Sequence, residues 1–182
     1  MIAYIHNRPA LQIGSQQVFE YDTAWLDVAL ERAARAADVD FPFVEDIRSG
    51  VVRYLETRCP LKLMPIGDLY ERMRRMLVKI GCEHIADHLR QLAPPVKVSL
   101  LKTAREAGCG FELGFFESLR GELSALREAG VEDIRFTGLQ ECILELCGAK
   151  QWGAKCDRLL HEIEQFLARW RDLETEALCA IE

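Results

Sequence analysis

Between Trp152 and Ala177, apolar residues recur at alternating steps of four and three: Trp152, Cys156, Leu159, Ile163, Phe166, Trp170, Leu173 and Ala177. This is the period of a helix with one apolar stripe, sustained over more than three heptads. Leu160 and Leu167 widen the stripe on one side, giving more apolar surface than a two-stranded coil covers, so the helix is expected to pack within a bundle. Each large side chain on that face contributes on the order of 1.5 to 3 kcal/mol if buried, which an isolated helix cannot realise. The helices expected at about 114–129 and 138–148 are each shorter than the stripe. The uncovered remainder predicts a homodimer about a twofold axis, with Phe166 and Trp170 near the contact. Trp152 and Trp170 are read as core-stripe residues rather than ligand contacts.

The rest of the chain also reads as mainly helical. Tyr4 and Ile5, then Val18, Phe19 and Tyr21, lie on either side of Gly14-Ser15 and suggest two short strands joined by a turn. From Thr23 the period changes: Leu26, Ala29, Leu30, Ala33 and Ala37 fall at helical spacing, with Asp22 placed to cap free amides and Glu31/Arg35 as an i, i+4 pair. A second helix carries Val44, Ile47, Val51 and Leu55 on one face and stops at Cys59-Pro60. A third carries Ile66, Leu69, Met73, Met76/Leu77 and Ile80 and ends at Gly81. A short fourth holds Ile85, Leu89 and Leu92 before Pro94-Pro95, the best boundary candidate. Residues 96–107 fit either a strand with Val96, Val98 and Leu100 on one face or a short helix. VEDIRF is a strand or an extended link, and Thr137 with Gln140 makes a capping box for GLQECILELC. VEDIRSG at residue 44 and VEDIRFT at residue 131 are similar, but the surrounding patterns do not align as a repeat.

Charge is unevenly placed. Residues 1–110 carry 15 Lys/Arg against 14 Asp/Glu, and residues 111–182 carry 8 against 15. An acidic second half repels phosphate backbones, which disfavours general nucleic-acid binding. The cluster Arg72, Arg74, Arg75 and Lys79 is read as a solvated helix face able at most to meet a single anion. No apolar run reaches the roughly 18 to 20 residues of a membrane helix, and the N-terminus lacks a signal-peptide pattern, so a cytoplasmic protein is expected. Seven cysteines without a CxxC pair imply free, mostly buried thiols.

Candidate chemistry is sparse. There is no Gly-rich phosphate loop, and no Ser-His-Asp or Cys-His set can be singled out. Cys82, His84 and His88 have ligand-like spacing, since His84 and His88 share a helix face. The set lacks a fourth ligand, and polar edge residues beside Ile85 and Leu89 are the stronger reading. Neither a metal nor a cofactor is expected to be required.

Phe19 to Asp22, Leu26, Ala29-Leu30-Glu31-Arg32-Ala33, Ile66-Gly67-Asp68-Leu69, Met76-Leu77, Gly81 and Ile85-Ala86 together resemble the ATP-cone. This is a regulatory nucleotide-binding domain of ribonucleotide reductases and of the repressor of their genes. Its pattern is a β-hairpin with Lys-Arg-Asp-Gly, then Phe-Asp, then Lys-Ile and Ala-Ile-x-Lys-Ala on the first helix. The matched positions are mainly core positions. The basic hairpin has no counterpart in LQIGSQQV, and Trp25 stands where the helix Lys precedes Ile; of the family's cations in these motifs only Arg32 has an equivalent. One arginine does not offset the desolvation of a triphosphate.

The resemblance, which covers under half of the chain, and the apolar spacing together predict a mainly α chain: a small β-hairpin with a four-helix ATP-cone-like subdomain over residues 1–93, then a helical subdomain over residues 94–182 ending in the long helix, packed separately or with the first as one unit. The favoured function is a non-enzymatic regulatory or protein-interaction module that has lost ATP binding. A nucleotide sensor with phosphate contacts from Arg8, Arg32 or Arg72 is the alternative, and a small enzyme with an unrecognised site is the third reading.

Overall fold

The computed structural model describes residues 8–108 and 110–179, those from 172 onward by backbone alone. Tyr4 and Ile5, Cys109, and the side chains of Leu173, Ala177 and Cys179 lie outside that description. The chain is mainly helical, with a small N-terminal sheet and a long C-terminal helix. It divides into two compact units. The first runs to Val98 and takes up Gly121–Arg135; the second comprises Ser99–Arg120 and the chain from Phe136 onward.

In the first unit, β1 (Ala10–Ile13) and β2 (Gln16–Val18) form a hairpin about the expected turn, but on strands that share only Val18 with the sequence pattern, with Leu11 opposite Val18 and Ile13 opposite Gln16. Gly14 at φ +56° supplies the left-handed residue of the two-residue turn. Phe19 and Tyr21 lie beyond the hairpin, and Phe19 is exposed. A third strand, β3 (Leu63–Pro65), pairs with β1 in parallel, giving the order β2-β1-β3. Leu11, Ile13 and Met64 from this sheet are fully buried.

Helix α1 (Ala24–Ala36) starts as the sequence indicates, with the Asp22 carboxylate accepting from the Ala24 amide at 3.0 Å. Its ion pair runs from Asp27 to Arg48 of α2 (Val44–Thr57); the expected Glu31–Arg35 pair is not among the ion pairs of the described residues. Helix α2 buries Ile47, Val51 and Leu55. Helix α3 (Ile66–Lys79) buries Leu69, Tyr70, Met73 and Leu77. Ile80 departs from expectation: the helix closes on Gly81 at φ +82°, and Ile80, beyond its last turn, is 54% exposed. Helix α4 (Glu83–His88) is a turn and a half, and Leu89 and Leu92 are buried in the extended segment after it. That segment is held by a bridge from Ala93 to Val131 and by Val96 N–H donating to Asp133 O at 3.0 Å.

Residues 96–107 combine both readings: β4 (Val96–Ser99) leads directly into α5 (Leu100–Ala107). The Ser99 hydroxyl accepts from Lys102 N–H at the junction, an N-cap that turns strand into helix. Helix α6 (Glu112–Glu128) ends before Gly130, and β5 (Ile134–Thr137) pairs with β4. The residue at the cap of α7 (Leu139–Cys147) is Gly138, at φ +72°, with Thr137 the last residue of β5.

The second unit packs α5 on α7 and α7 on α8 (Ala154–Cys179). Its core holds Leu100, Phe115, Leu119, Cys142, Ile143, Leu146, Cys156, Leu159 and Ile163. The stripe of α8 is therefore buried through its first half. Trp152 corrects the core-stripe expectation: it precedes the helix, is 39% exposed, and its indole N–H donates to Asp157 in the first turn at 2.6 Å. Gly153 accepts from Cys156 N–H and interrupts the stripe before it reaches Trp152.

Candidate functional site

Each of the three candidate arginines of the first unit has a different environment. Arg8 donates through Nε to Glu56 at 2.8 Å, and its Nη2 lies 2.7 Å from the same carboxylate. Tyr21 lies in the field of this pair and donates to Pro9 O at 2.9 Å. Burial pushes its phenol up to about 12, Arg8 opposing and Cys59 and Glu56 adding to the shift. Arg32 makes a bidentate pair with Glu132, its Nη2 3.0 Å from Oε2. Both side chains are about half exposed. Arg72 has no carboxylate partner among the described residues; its guanidinium lies over the Tyr54 ring, 5.7 Å from the centroid.

Trp25 is buried. Its indole N–H donates to Asp22 O at 3.0 Å, and its ring packs against Tyr70 at 6.1 Å between centroids. The Tyr70 hydroxyl in turn satisfies both backbone groups of Leu92, and burial raises its phenol far above the ordinary range. Trp25 and Tyr70 thus form a hydrophobic, internally hydrogen-bonded wall.

Arg72 borders a groove of about 190 Å³ between α2 and α3, lined also by Gly50, Val51, Tyr54, Leu69, Met73 and Met76. Gly50 opens it: a Cβ built there meets nothing within 4 Å. The sequence signal was a glycine inside an amphipathic helix pattern, beside Val51 and Tyr54.

Asp27 is held above the usual carboxylate range by burial, with Arg48 opposing. Asp27 Oδ1 and Arg48 Nε are 3.0 Å apart but not aligned as a hydrogen bond, so their contact is chiefly electrostatic. His84 and His88 are exposed, and His88 Nδ1 lies 2.8 Å from His84 O. Among the described residues no three His, Cys, Asp or Glu are grouped to hold a metal ion. Cys59, Cys82, Cys142, Cys147 and Cys156 are free thiols; Cys142 and Cys156 are buried and the others half-buried. Burial pushes the Cys142 thiol up to about 12, with Cys147 adding to it, so it is a packing group rather than a nucleophile.

In the second unit, Phe166 and Trp170 are half-buried. The Phe166 ring lies 5.3 Å from that of Phe116 and 5.9 Å from the Arg120 guanidinium. No helix among the described residues is long and apolar enough to cross a membrane. Comparison with family models, with curated proteins and with solved structures finds no match to this chain.

Proposed function

We propose that this chain is a non-enzymatic regulatory or protein-interaction module, related in pattern to the ATP-cone, that does not take ATP at the family's site. The observation that carries the reading is the buried Trp25, packed on Tyr70 where the resemblance calls for a lysine. Arg32, the remaining basic equivalent, is already neutralised by Glu132. A triphosphate entering there would have to displace a packed indole and compete with a carboxylate, with no paired cations in return. The module is proposed to act in the cytoplasm, as a homodimer joined through the Phe166 and Trp170 face of α8.

Calorimetric titration with ATP and dATP at millimolar concentration tests the reading. No saturable heat is expected. Saturable binding weakened by Arg32→Ala or Arg72→Ala would promote the nucleotide-sensor alternative, which Arg72 favours in having no carboxylate partner among the described residues.

A further inference from the structure

The geometry points to the groove between α2 and α3 as a docking site for an acidic amphipathic helix of a partner protein, a deepening that rests on the interaction-module reading above. At about 190 Å³ the groove falls below the roughly 300 to 1,000 Å³ typical of small-molecule pockets. It suits one or two apolar side chains presented by a larger body. Its lining is of the matching kind: Val51, Leu69, Met73 and Met76 give an apolar floor, and methionines adapt their shape to an entering side chain. Tyr54 and Arg72, stacked at the mouth, are residue types that anchor protein interfaces.

The charge around the groove selects the occupant. Exposed Arg53, Arg72, Arg75 and Lys79 lie on the same two helices and carry no carboxylate partner among the described residues. Of the carboxylates on these helices, Glu45, Glu56 and Glu71 pair with Arg48, Arg8 and Arg74, so Asp46 and Asp68, in the first turns of α2 and α3, are the opposing charges left and are outnumbered. Arg74, by contrast, pairs with Glu71 and donates to Leu89 O at 2.7 Å, so it serves the fold. An apolar groove with an unpaired cationic rim complements a helix with one leucine-rich face and flanking carboxylates.

The test uses two synthetic peptides of about 15 residues, long enough to sample helix, with leucines at three-and-four spacing and either glutamate or lysine elsewhere. Methyl resonances of Met73 and Met76 in the full-length protein report occupancy, and fluorescence anisotropy reports affinity. The expected result is saturable binding of the glutamate peptide that shifts both methyls, weakens with added salt, and exceeds binding of the lysine peptide at least tenfold. Arg72→Glu should weaken it at least tenfold. So should Gly50→Leu, which fills the groove at a helical position with free space and is expected to leave the melting temperature unchanged or raised. Absence of methyl shifts, equal binding of the two peptides, or full binding by folded Gly50→Leu protein would overturn the proposal while leaving the non-enzymatic reading intact. Shifts of the same methyls by ATP would overturn both.

Discussion

The Tyr70 hydroxyl and Leu92 exchange two hydrogen bonds: the hydroxyl donates to Leu92 O at 2.9 Å and accepts from Leu92 N–H at 2.9 Å. Tyr70 is fully buried in α3, and Leu92 lies in the extended segment after α4. A side chain thus supplies the backbone partners that a strand or helix would otherwise provide. Tyr70→Phe keeps the ring on Trp25 but leaves both Leu92 groups without this partner. The expected cost is about 1 to 3 kcal/mol, read as a lowered denaturation midpoint at unchanged slope.

Gly130 faces the same segment. Its carbonyl accepts from Ala93 N–H at 2.9 Å, its φ is +80°, and an added Cβ would sit 2.8 Å from the Gln91 carbonyl carbon. Neither backbone can yield without breaking the Gln91 side-chain bond to Ala129 O or the Ala93 bridge. Gly130→Ala should therefore destabilise by more than about 2 kcal/mol, combining left-handed strain with a backbone clash. Gly50→Ala, with open space and ordinary φ, should be neutral or stabilising by about 0.5 to 1 kcal/mol. Parallel urea melts of the two variants check the contrast.

These two relationships show where the sequence was legible and where it was not. Helices α1, α2 and α3 follow from apolar spacing and from Asp22 and Gly81 as end signals, because helical pattern and capping are local. The pairing of β1 with β3 joins Leu11 to Met64 across the whole of α1 and α2, and LKLMP carries no mark of its partner. The string VEDIR makes the same point. At Val44 it opens a helix, where Glu45 and Asp46 meet the N-terminal dipole; at Val131 it forms a bridge to Ala93 and then β5. Identical local chemistry takes two structures because its neighbours differ. The candidate site is legible in the same uneven way: the sequence alone draws attention to Trp25 and Arg32 through the resemblance, whereas the carboxylates that engage Arg8 and Arg32 lie 48 and 100 residues away and leave no local trace.

The Arg32–Glu132 pair offers a test of the same reading on its own terms. Both groups are about half exposed, so solvent screening limits their contribution to stability to within about 1 kcal/mol. Glu132→Gln should melt close to wild type. It also frees Arg32, yet ATP binding should not appear, because Trp25 remains buried against Tyr70. Saturable ATP binding in this variant, absent in wild type, would show that the carboxylate and not the indole closes the site.

Alkaline pH should unfold the protein in a defined order. In the unfolded chain the Cys142 thiol ionises near 9.0 and the phenols of Tyr21 and Tyr70 near 10.0; in the fold all three are raised, chiefly by burial, Cys142 and Tyr21 to about 12. Raised groups contribute stability that is complete below the unfolded values and is lost as pH rises toward the folded ones. Stability should therefore begin to fall above pH 9 through Cys142 and Cys147 and steepen above pH 10 through the two tyrosines. Denaturation midpoints across this range, followed with the tyrosinate absorbance, provide the measurement. Cys142→Ala should reduce the earliest part of the decline, leaving the share of Cys147, whose thiol is also raised chiefly by burial, without altering the part that begins at the tyrosine value.

The half-buried Phe166 and Trp170 of the α8 stripe bear on assembly. Cys156, Leu159 and Ile163 are buried within the second unit, but Phe166 and Trp170 are only half-buried, and Phe166 rests on Phe116 with one side open enough for Arg120 to approach. Two aromatic residues in that state retain apolar area worth on the order of a kcal/mol or more each if a second copy covers it. An isologous contact would bring the stripe of one chain onto the same stripe of the other, as a twofold axis requires. The proposed dimer predicts a wild-type species of twice the chain mass at tens of micromolar in sedimentation equilibrium. Trp170→Glu should convert it to a folded monomer, because half-exposed Trp170 contributes less to the subunit core than Ile163 does. A monomeric wild type would end the dimer proposal, and a Trp170→Glu protein that unfolds outright would assign Trp170 to the core of the second unit instead.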